Sequence, residues 1–256
     1  MRLLFIGDVV GKSGCDFLEK NLYKIKKQYN IDVTVINGEN SAQGNGITRQ
    51  SADFLTRVGA DIITTGNHAF KRRESVDMFD EIPHLIRPAN YPDDVVGKGY
   101  YVLDMGAVQI AVINLMGVVY LEPLDNPFEK VDSILKEIST PNIFVDFHAE
   151  ATAEKKAMGH YLAGRVTGVF GTHTHVQTAD ATILKGHTGY ITDVGMTGPE
   201  NSVLGVKSEL AISKMKSHFP VKFEESTEEA FLNGIIAEFD TKLGKTSSLI
   251  PVILRL

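Results

Sequence analysis

Five short polar segments each close an apolar run, and no other feature of this chain narrows its possible folds as much. They read Gly7-Asp8, Gly38-Glu39-Asn40, Gly66-Asn67-His68, Asp146-Phe147-His148 and Gly171-Thr172-His173-Thr174-His175. The runs before them are Leu3-Leu4-Phe5-Ile6, Val33-Thr34-Val35-Ile36, Ile62-Ile63-Thr64-Thr65, Ile143-Phe144-Val145 and Val166-Thr167-Gly168-Val169-Phe170. Apolar stretches of this length, stopped by glycine and polar residues, read as strands buried on both faces. Strands laid side by side bring their C-terminal ends to one edge. Asp8, Glu39, Asn40, Asn67 and the histidines His68, His148, His173 and His175 then meet in one place. Carboxylate, amide and imidazole donors gathered there form a ligand set for two metal ions, and a metal-dependent hydrolase is the expected function.

The rest of the pattern supplies the frame for such an edge. Strands at 2–7, 32–37 and 61–65 alternate with helices near 15–29, 48–58 and 71–80, which is the pattern of βαβ units around a parallel sheet. Runs at 100–105 and 108–115 flank Gly106-Ala107 and read as an antiparallel hairpin. Helices near 127–138 and 150–162 enclose the strand at 142–147. Past residue 180 the chain turns β-rich, with runs at 181–184, 189–194, 230–240 and 248–255 around a helix near 207–216. No repeat or flexible linker interrupts it. The expectation is one α/β domain over residues 1–256, with two mixed sheets packed as a sandwich and helices outside.

Composition excludes several classes. A chain of 256 residues with 43% apolar and 23% charged content is that of an ordinary globular protein. No apolar run approaches the roughly 20 residues that span a bilayer, and because Met1-Arg2 passes directly into a strand, no signal peptide is expected. Cys15 is the sole cysteine, so no internal disulfide forms and a cytoplasmic location is expected. A net charge of −6 argues against coating nucleic acid through the overall field. It leaves nucleotides open, because bound metal ions supply positive charge locally.

Each residue of the constellation also has a plain structural alternative. Asp8 could cap the following helix, Glu39-Asn40 could be a turn, and His148 could be a hydrogen-bonded core histidine. His173-x-His175 is the strongest single signal, since an extended segment would point both rings to one side. A competing motif overlaps the first segment. Gly7-Asp8-Val9-Val10-Gly11-Lys12-Ser13 resembles a phosphate-binding loop between a strand and a helix, but only three residues separate its glycines where four are needed. Asp8 would also repel the phosphate. Gly11 and Gly14 are better read as allowing a sharp turn beside the metal site. Cys15 is expected to start a helix, and His84, His160, His187 and His218 lie outside ligand-like spacing.

The ordered segments resemble those of the calcineurin-like metallophosphoesterase superfamily and, within it, the YmdB-type bacterial phosphodiesterases. Arg87-Pro88-Ala89-Asn90-Tyr91-Pro92, Val176-Gln177-Thr178-Ala179-Asp180 and Thr192-Asp193-Val194-Gly195-Met196-Thr197-Gly198-Pro199 extend the match from residue 7 to about 205. The resemblance implies two ions, iron or manganese. Asp8, Glu39, Asn40 and His175 would hold one, and Glu39, Asn67, His148 and His173 the other. It implies His68 as the proton donor, homo-oligomeric assembly, and hydrolysis of 2′,3′-cyclic and in some cases 3′,5′-cyclic nucleotides. The expected chemistry is attack by a metal-bridging hydroxide while His68 protonates the leaving oxygen. Alternatives are a phosphomonoesterase or nucleotidase with the same metals, or a nucleotide- or RNA-binding regulator with incidental hydrolysis. Thr174 and Gln177 are candidates for positioning the ligands.

Two departures stand out. Val10 occupies the place where the wider superfamily often has a histidine, and the YmdB-type group lacks that histidine too. Where that group carries an aromatic residue and then an acid after Asn67-His68, this chain has Ala69-Phe70-Lys71-Arg72-Arg73. The basic triplet could contact a substrate phosphate, a loop near Glu39 or another subunit, although a solvated turn is the simpler reading.

Overall fold

A computed structural model describes residues 1–255. Sheet one contains β1 (Arg2–Ile6), β2 (Asp8–Val9), β3 (Val33–Asn37) and β4 (Ile62–Thr64) from the first quarter of the chain. Helices α1 (Gly11–Tyr29) and α2 (Arg49–Val58) connect them, and α3 (Met78–Glu81) follows β4. Sheet two is built from β5 (Tyr100–Asp104), β6 (Gln109–Met116), β7 (Ile143–His148), β8 (Gly168–Thr172), β9 (Thr182–Leu184) and β10 (Thr188–Ile191). Helices α4 (Pro127–Leu135) and α5 (Thr152–Leu162) lie within that stretch. The chain then returns to sheet one with β11 (Met196–Pro199), α6 (Ser208–Ser217), β12 (Ala230–Asp240) and β13 (Lys245–Leu254).

The parallel parts of the two sheets create the common edge. In sheet one, β1, β3 and β4 run parallel, with β12 antiparallel to β1 on the other side. In sheet two, β6, β7, β8 and β10 are parallel, and β5–β6 form the expected hairpin. Alternation along each strand decides which layer a side chain enters. Leu3 and Phe5 point between the sheets with Val35, Val112, Phe144 and Phe170, while Leu4 and Ile6 pack under α1 and α2. Phe5 meets Phe170 edge-to-face across the sandwich at 5.6 Å, a geometry worth about 0.5–1.5 kcal/mol beyond the area it buries. Burial on both faces explains why the sequence shows continuous apolar runs rather than alternation.

Local chemistry sets the helix limits. Thr48 and Ser51 form a reciprocal capping box at the start of α2, and Gly59, at φ 119°, ends it. The helix α1 starts at Gly11, ahead of Cys15, because Gly11 adopts φ 55° and lets the chain turn out of β2. Cys15 therefore lies inside the helix, where burial, with Asp16 and Glu225 nearby, pushes its thiol up to about 12. Little thiolate then exists at neutral pH.

Three expectations are corrected. The strand expected at 2–7 is split at Gly7, where an added Cβ would lie 1.8 Å from the Gly195 carbonyl oxygen. The pairing of β2 with β11 that this close approach permits has no local signature in the sequence. The strand expected over 189–194 ends at Ile191, because Thr192 and Asp193 turn to bond Asp180 and Thr178. The helix expected over 71–80 is reduced to a 3₁₀ turn at Arg73–Ser75 and the four-residue α3. The Arg72 guanidinium is drawn away to the carbonyls of Gln43 and Asn45, which holds that segment out of helical register. Among the described residues, no helix is long and apolar enough to cross a membrane.

Candidate metal centre

The eight residues singled out in the sequence sit at the C-terminal ends of β1–β2, β3, β4, β7 and the segment following β8. Their polar atoms converge. Asp8, Glu39, Asn40 and His148 are buried, and His68 is 24% exposed at its side chain. The carboxylate of Glu39 is central: Oε2 lies 3.3 Å from His148 Nε2, and Oε1 lies 3.1 Å from Asn40 Nδ2 and 3.3 Å from His68 Nδ1. The backbone N–H of His68 also donates to Oε2 at 3.2 Å.

Two subclusters share this carboxylate. In the first, His148 Nε2 lies 2.9 Å from Asn67 Oδ1 and 3.1 Å from His173 Nδ1. Glu39, His148 and His173 thus bring ligand atoms within 4.8 Å of one another. In the second, His175 Nε2 lies 3.7 Å from Asp8 Oδ1 and 3.4 Å from Asn40 Nδ2. Asp8 Oδ2 accepts from the His173 N–H at 3.1 Å, but Asp8 Oδ1 is buried without any hydrogen-bond partner. Leaving a carboxylate oxygen in that state costs about 1–3 kcal/mol or more. A cation between Asp8, Asn40 and His175 would satisfy it.

The outer edges of the three inward-facing rings are each fixed by oxygen. His148 Nδ1 donates to Thr172 Oγ1 at 2.9 Å, and that hydroxyl in turn donates to Asp146 at 2.7 Å. His173 Nε2 meets Glu150 Oε2 at 3.0 Å, and His175 Nδ1 meets the Leu204 carbonyl at 3.3 Å. Outer nitrogens that donate leave inner nitrogens with their lone pairs aimed at the cluster, the arrangement that orients metal-binding imidazoles. Asn40 is the exception in detail, because it presents Nδ2 inward and Oδ1 to His68 Nδ1 at 2.8 Å. Half a turn of the amide exchanges these atoms, which only a cation beside Glu39 and His175 would favour.

The electrostatics point the same way. Burial raises the Asp8 carboxyl, against the pull of His175 and His148. Burial would also raise Glu39, but His148 and His68 hold it well below the usual carboxylate range. For His148, burial is outweighed by Glu39, with Asp8 and Asp146 behind it, and the imidazole is pushed up to about 9. Burial and the neighbouring His148 push His173 down to about 3. Without a metal ion the carboxylates draw a proton onto His148, while His173 stays neutral; a cation at the cluster would supply that positive charge instead and free the inner lone pair of His148. The residues present therefore fit metal ions.

One expectation about the His173-x-His175 pair is overturned. The segment is not extended: His173 and His175 adopt φ 99° and φ 66°, so their rings reach separate subclusters. Left-handed backbone at non-glycine residues is held only by surrounding contacts. Gln177, a candidate for positioning, instead donates to the carbonyls of Val194, Gly234 and Val252 and stitches sheet one. Sequence reasoning missed Glu150, Thr172 and Asp146 as partners of the histidine rings. Asp146 and Glu150 stand two residues to either side of His148 on the strand end, and that proximity was the available signal. Of the basic triplet, Arg72 ties the loop after Asn40 to the turn after His68 through Gln43 and Asn45. Lys71 lines a cavity of about 970 Å³ together with Lys12, Lys207 and Lys222.

A two-sheet sandwich with carboxylate, amide and imidazole donors at its strand ends is that of a calcineurin-like metallophosphoesterase. The chain matches the family model described as "YmdB-like protein" over residues 4–252, and it belongs to that family. It is 45% identical to the 2′,3′-cyclic-nucleotide 2′-phosphodiesterase of Bacillus subtilis (strain 168), across 99% of this chain and 97% of that protein. Among solved structures, a hypothetical protein from Thermus thermophilus superposes with a TM-score of 0.93 at 38% identity, covering 99% of each chain. A novel phosphatase from Mycoplasma pneumoniae gives 0.94 at 33% identity, covering 99% of this chain and 93% of its own.

Proposed function

We propose that this chain is a cytoplasmic dimetal phosphodiesterase that hydrolyses 2′,3′-cyclic nucleotides, with residues 1–256 acting as one domain. The observation that carries this reading is the convergence of lone pairs on two subclusters that share Glu39, with a buried Asp8 oxygen left unpaired. Asp8, Glu39, Asn40 and His175 would hold one ion, and Glu39, Asn67, His148 and His173 the other. The mixed oxygen and nitrogen donors suit iron or manganese. Two such ions supply Lewis acidity toward a phosphoryl oxygen and lower the pKa of water.

The chain's own residues supply binding and proton transfer. The relative in Bacillus subtilis is named for cleavage at the 2′ position. On a 2′,3′-cyclic ester, water adds to phosphorus, the P–O2′ bond breaks, and the 2′-oxygen leaves needing a proton. The Nδ1 atom of His68 is engaged by Asn40 and Glu39, so Nε2 is the ring nitrogen free to deliver that proton.

A leaving-group comparison tests this assignment. His68→Ala is expected to lower kcat on 2′,3′-cyclic AMP by about 10²-fold or more, the range of general acid catalysis. On bis(p-nitrophenyl) phosphate, whose leaving group needs no proton, the loss is expected to be several-fold at most, with bound metal unchanged. Equal losses on both substrates would remove His68 from the acid role. Preference of the wild type for monoesters would move the substrate class itself.

A further inference from the structure

A buried ion pair lies behind the two histidines, and nothing in the reaction above uses it. Lys155, from α5, contacts Asp193 at 2.6 Å, with side-chain exposures of only 1% and 0%. Asp193 Oδ2 also accepts from the Thr174 backbone N–H at 3.0 Å and from Thr174 Oγ1 at 2.7 Å. Its Oδ1 accepts from the Gly195 N–H at 2.8 Å. A single carboxylate thus grips Thr174 by backbone and side chain together.

Thr174 separates His173 and His175, the two residues held at φ 99° and φ 66°. Neither conformation is one that a histidine adopts without support. The peptide between them must be fixed for the His173 ring to reach one subcluster and the His175 ring the other. Asp193 is the group that fixes it. A buried carboxylate retains strong charged hydrogen bonds only where a cation balances it, and Lys155 is that cation.

We infer that Lys155 and Asp193 are positioning residues for metal binding, acting through Thr174 on the rings of His173 and His175. The inference rests on the dimetal reading above. Thr178 reinforces the clamp from the same loop: its hydroxyl accepts from the Asp193 N–H at 2.9 Å, and its own N–H donates to the Asp193 carbonyl at 3.0 Å. Removing partners that orient metal ligands typically weakens metal affinity by about 10–100-fold.

Mn²⁺ titration calorimetry on the metal-free full chain tests it, using wild type, Lys155→Met and Thr174→Val, with thermal unfolding recorded for each. Wild type is expected to take up two Mn²⁺ ions. Folded Lys155→Met is expected to bind them about 10–100-fold more weakly, and Thr174→Val about tenfold more weakly. A pair that merely supports the core would lower the melting temperature while Mn²⁺ affinity of the folded protein stays within twofold of wild type, and that result overturns the inference. Should Lys155→Met fail to fold, the partly exposed Thr174→Val decides alone: weakened Mn²⁺ binding supports the clamp, and unchanged binding overturns it. Wild type that binds no Mn²⁺ would defeat the dimetal reading itself, and the inference with it.

Discussion

Replacing Glu39 with Gln is expected to strip the protein of bound metal and lower kcat by about 10³-fold or more, because it removes several kcal/mol of charge stabilisation from both subclusters at once. The Glu39 carboxylate lies between the two, with His148 on one side, Asn40 on the other, and His68 at the mouth. Gln keeps the shape and the buried volume, so the fold is expected to survive. It cannot keep the negative charge, and its amide would place a donor where both subclusters present lone pairs. Elemental analysis of the purified variant beside a steady-state assay checks the prediction. Retention of two metals and wild-type turnover would mean that Glu39 is not shared.

Gly66→Ala is expected to be comparably severe, although it adds only a methyl group. An added Cβ would lie 2.2 Å from His148 Cδ2 and 2.3 Å from both His148 Nε2 and Glu39 Oε2. Neither side chain can retreat, since His148 is fully buried and Glu39 is 1% exposed. Overpacking of this kind costs about 1–3 kcal/mol in stability. The larger effect falls on the site, because the atoms displaced are the ones proposed to hold metal. Chemical denaturation should show the modest loss of stability, and metal content and kcat should fall as for Glu39→Gln. A variant that binds metal and turns over normally would show that Gly66 does not border the site.

The strand ends that build the site were legible because burial on both faces leaves an unmistakable apolar run, and the polar residues that stop it have few other reasons to be there. Asp8, Glu39, Asn67 and His148 could be placed on that basis. The hairpin at Gly106-Ala107 and the Thr48-capped helix were legible for equally local reasons. The backbone of His173 and His175 was not. Its left-handed conformation is held through Thr174 by Asp193, while Glu150 and Leu204 hold the rings, and all three are distant in sequence. Lys155 shows the limit most plainly. Lys155 and Lys156 are adjacent and chemically identical, yet one is buried against Asp193 while the other is 49% exposed against Asp180. Only the packing of α5 onto sheet two distinguishes them. The lost helix over 71–80 has the same origin, since the pull of Arg72 toward Gln43 and Asn45 overrides local propensity.

The most direct measurement is the metal content of the wild-type chain, determined together with its turnover of 2′,3′-cyclic AMP before chelation, after chelation, and after Mn²⁺ is restored. Two ions per chain, turnover that disappears with them, and recovery on adding Mn²⁺ are the predicted results. Undiminished turnover by a chain shown to hold no metal would contradict the assignment of Asp8, Glu39, Asn40, Asn67, His148, His173 and His175 as a dimetal centre.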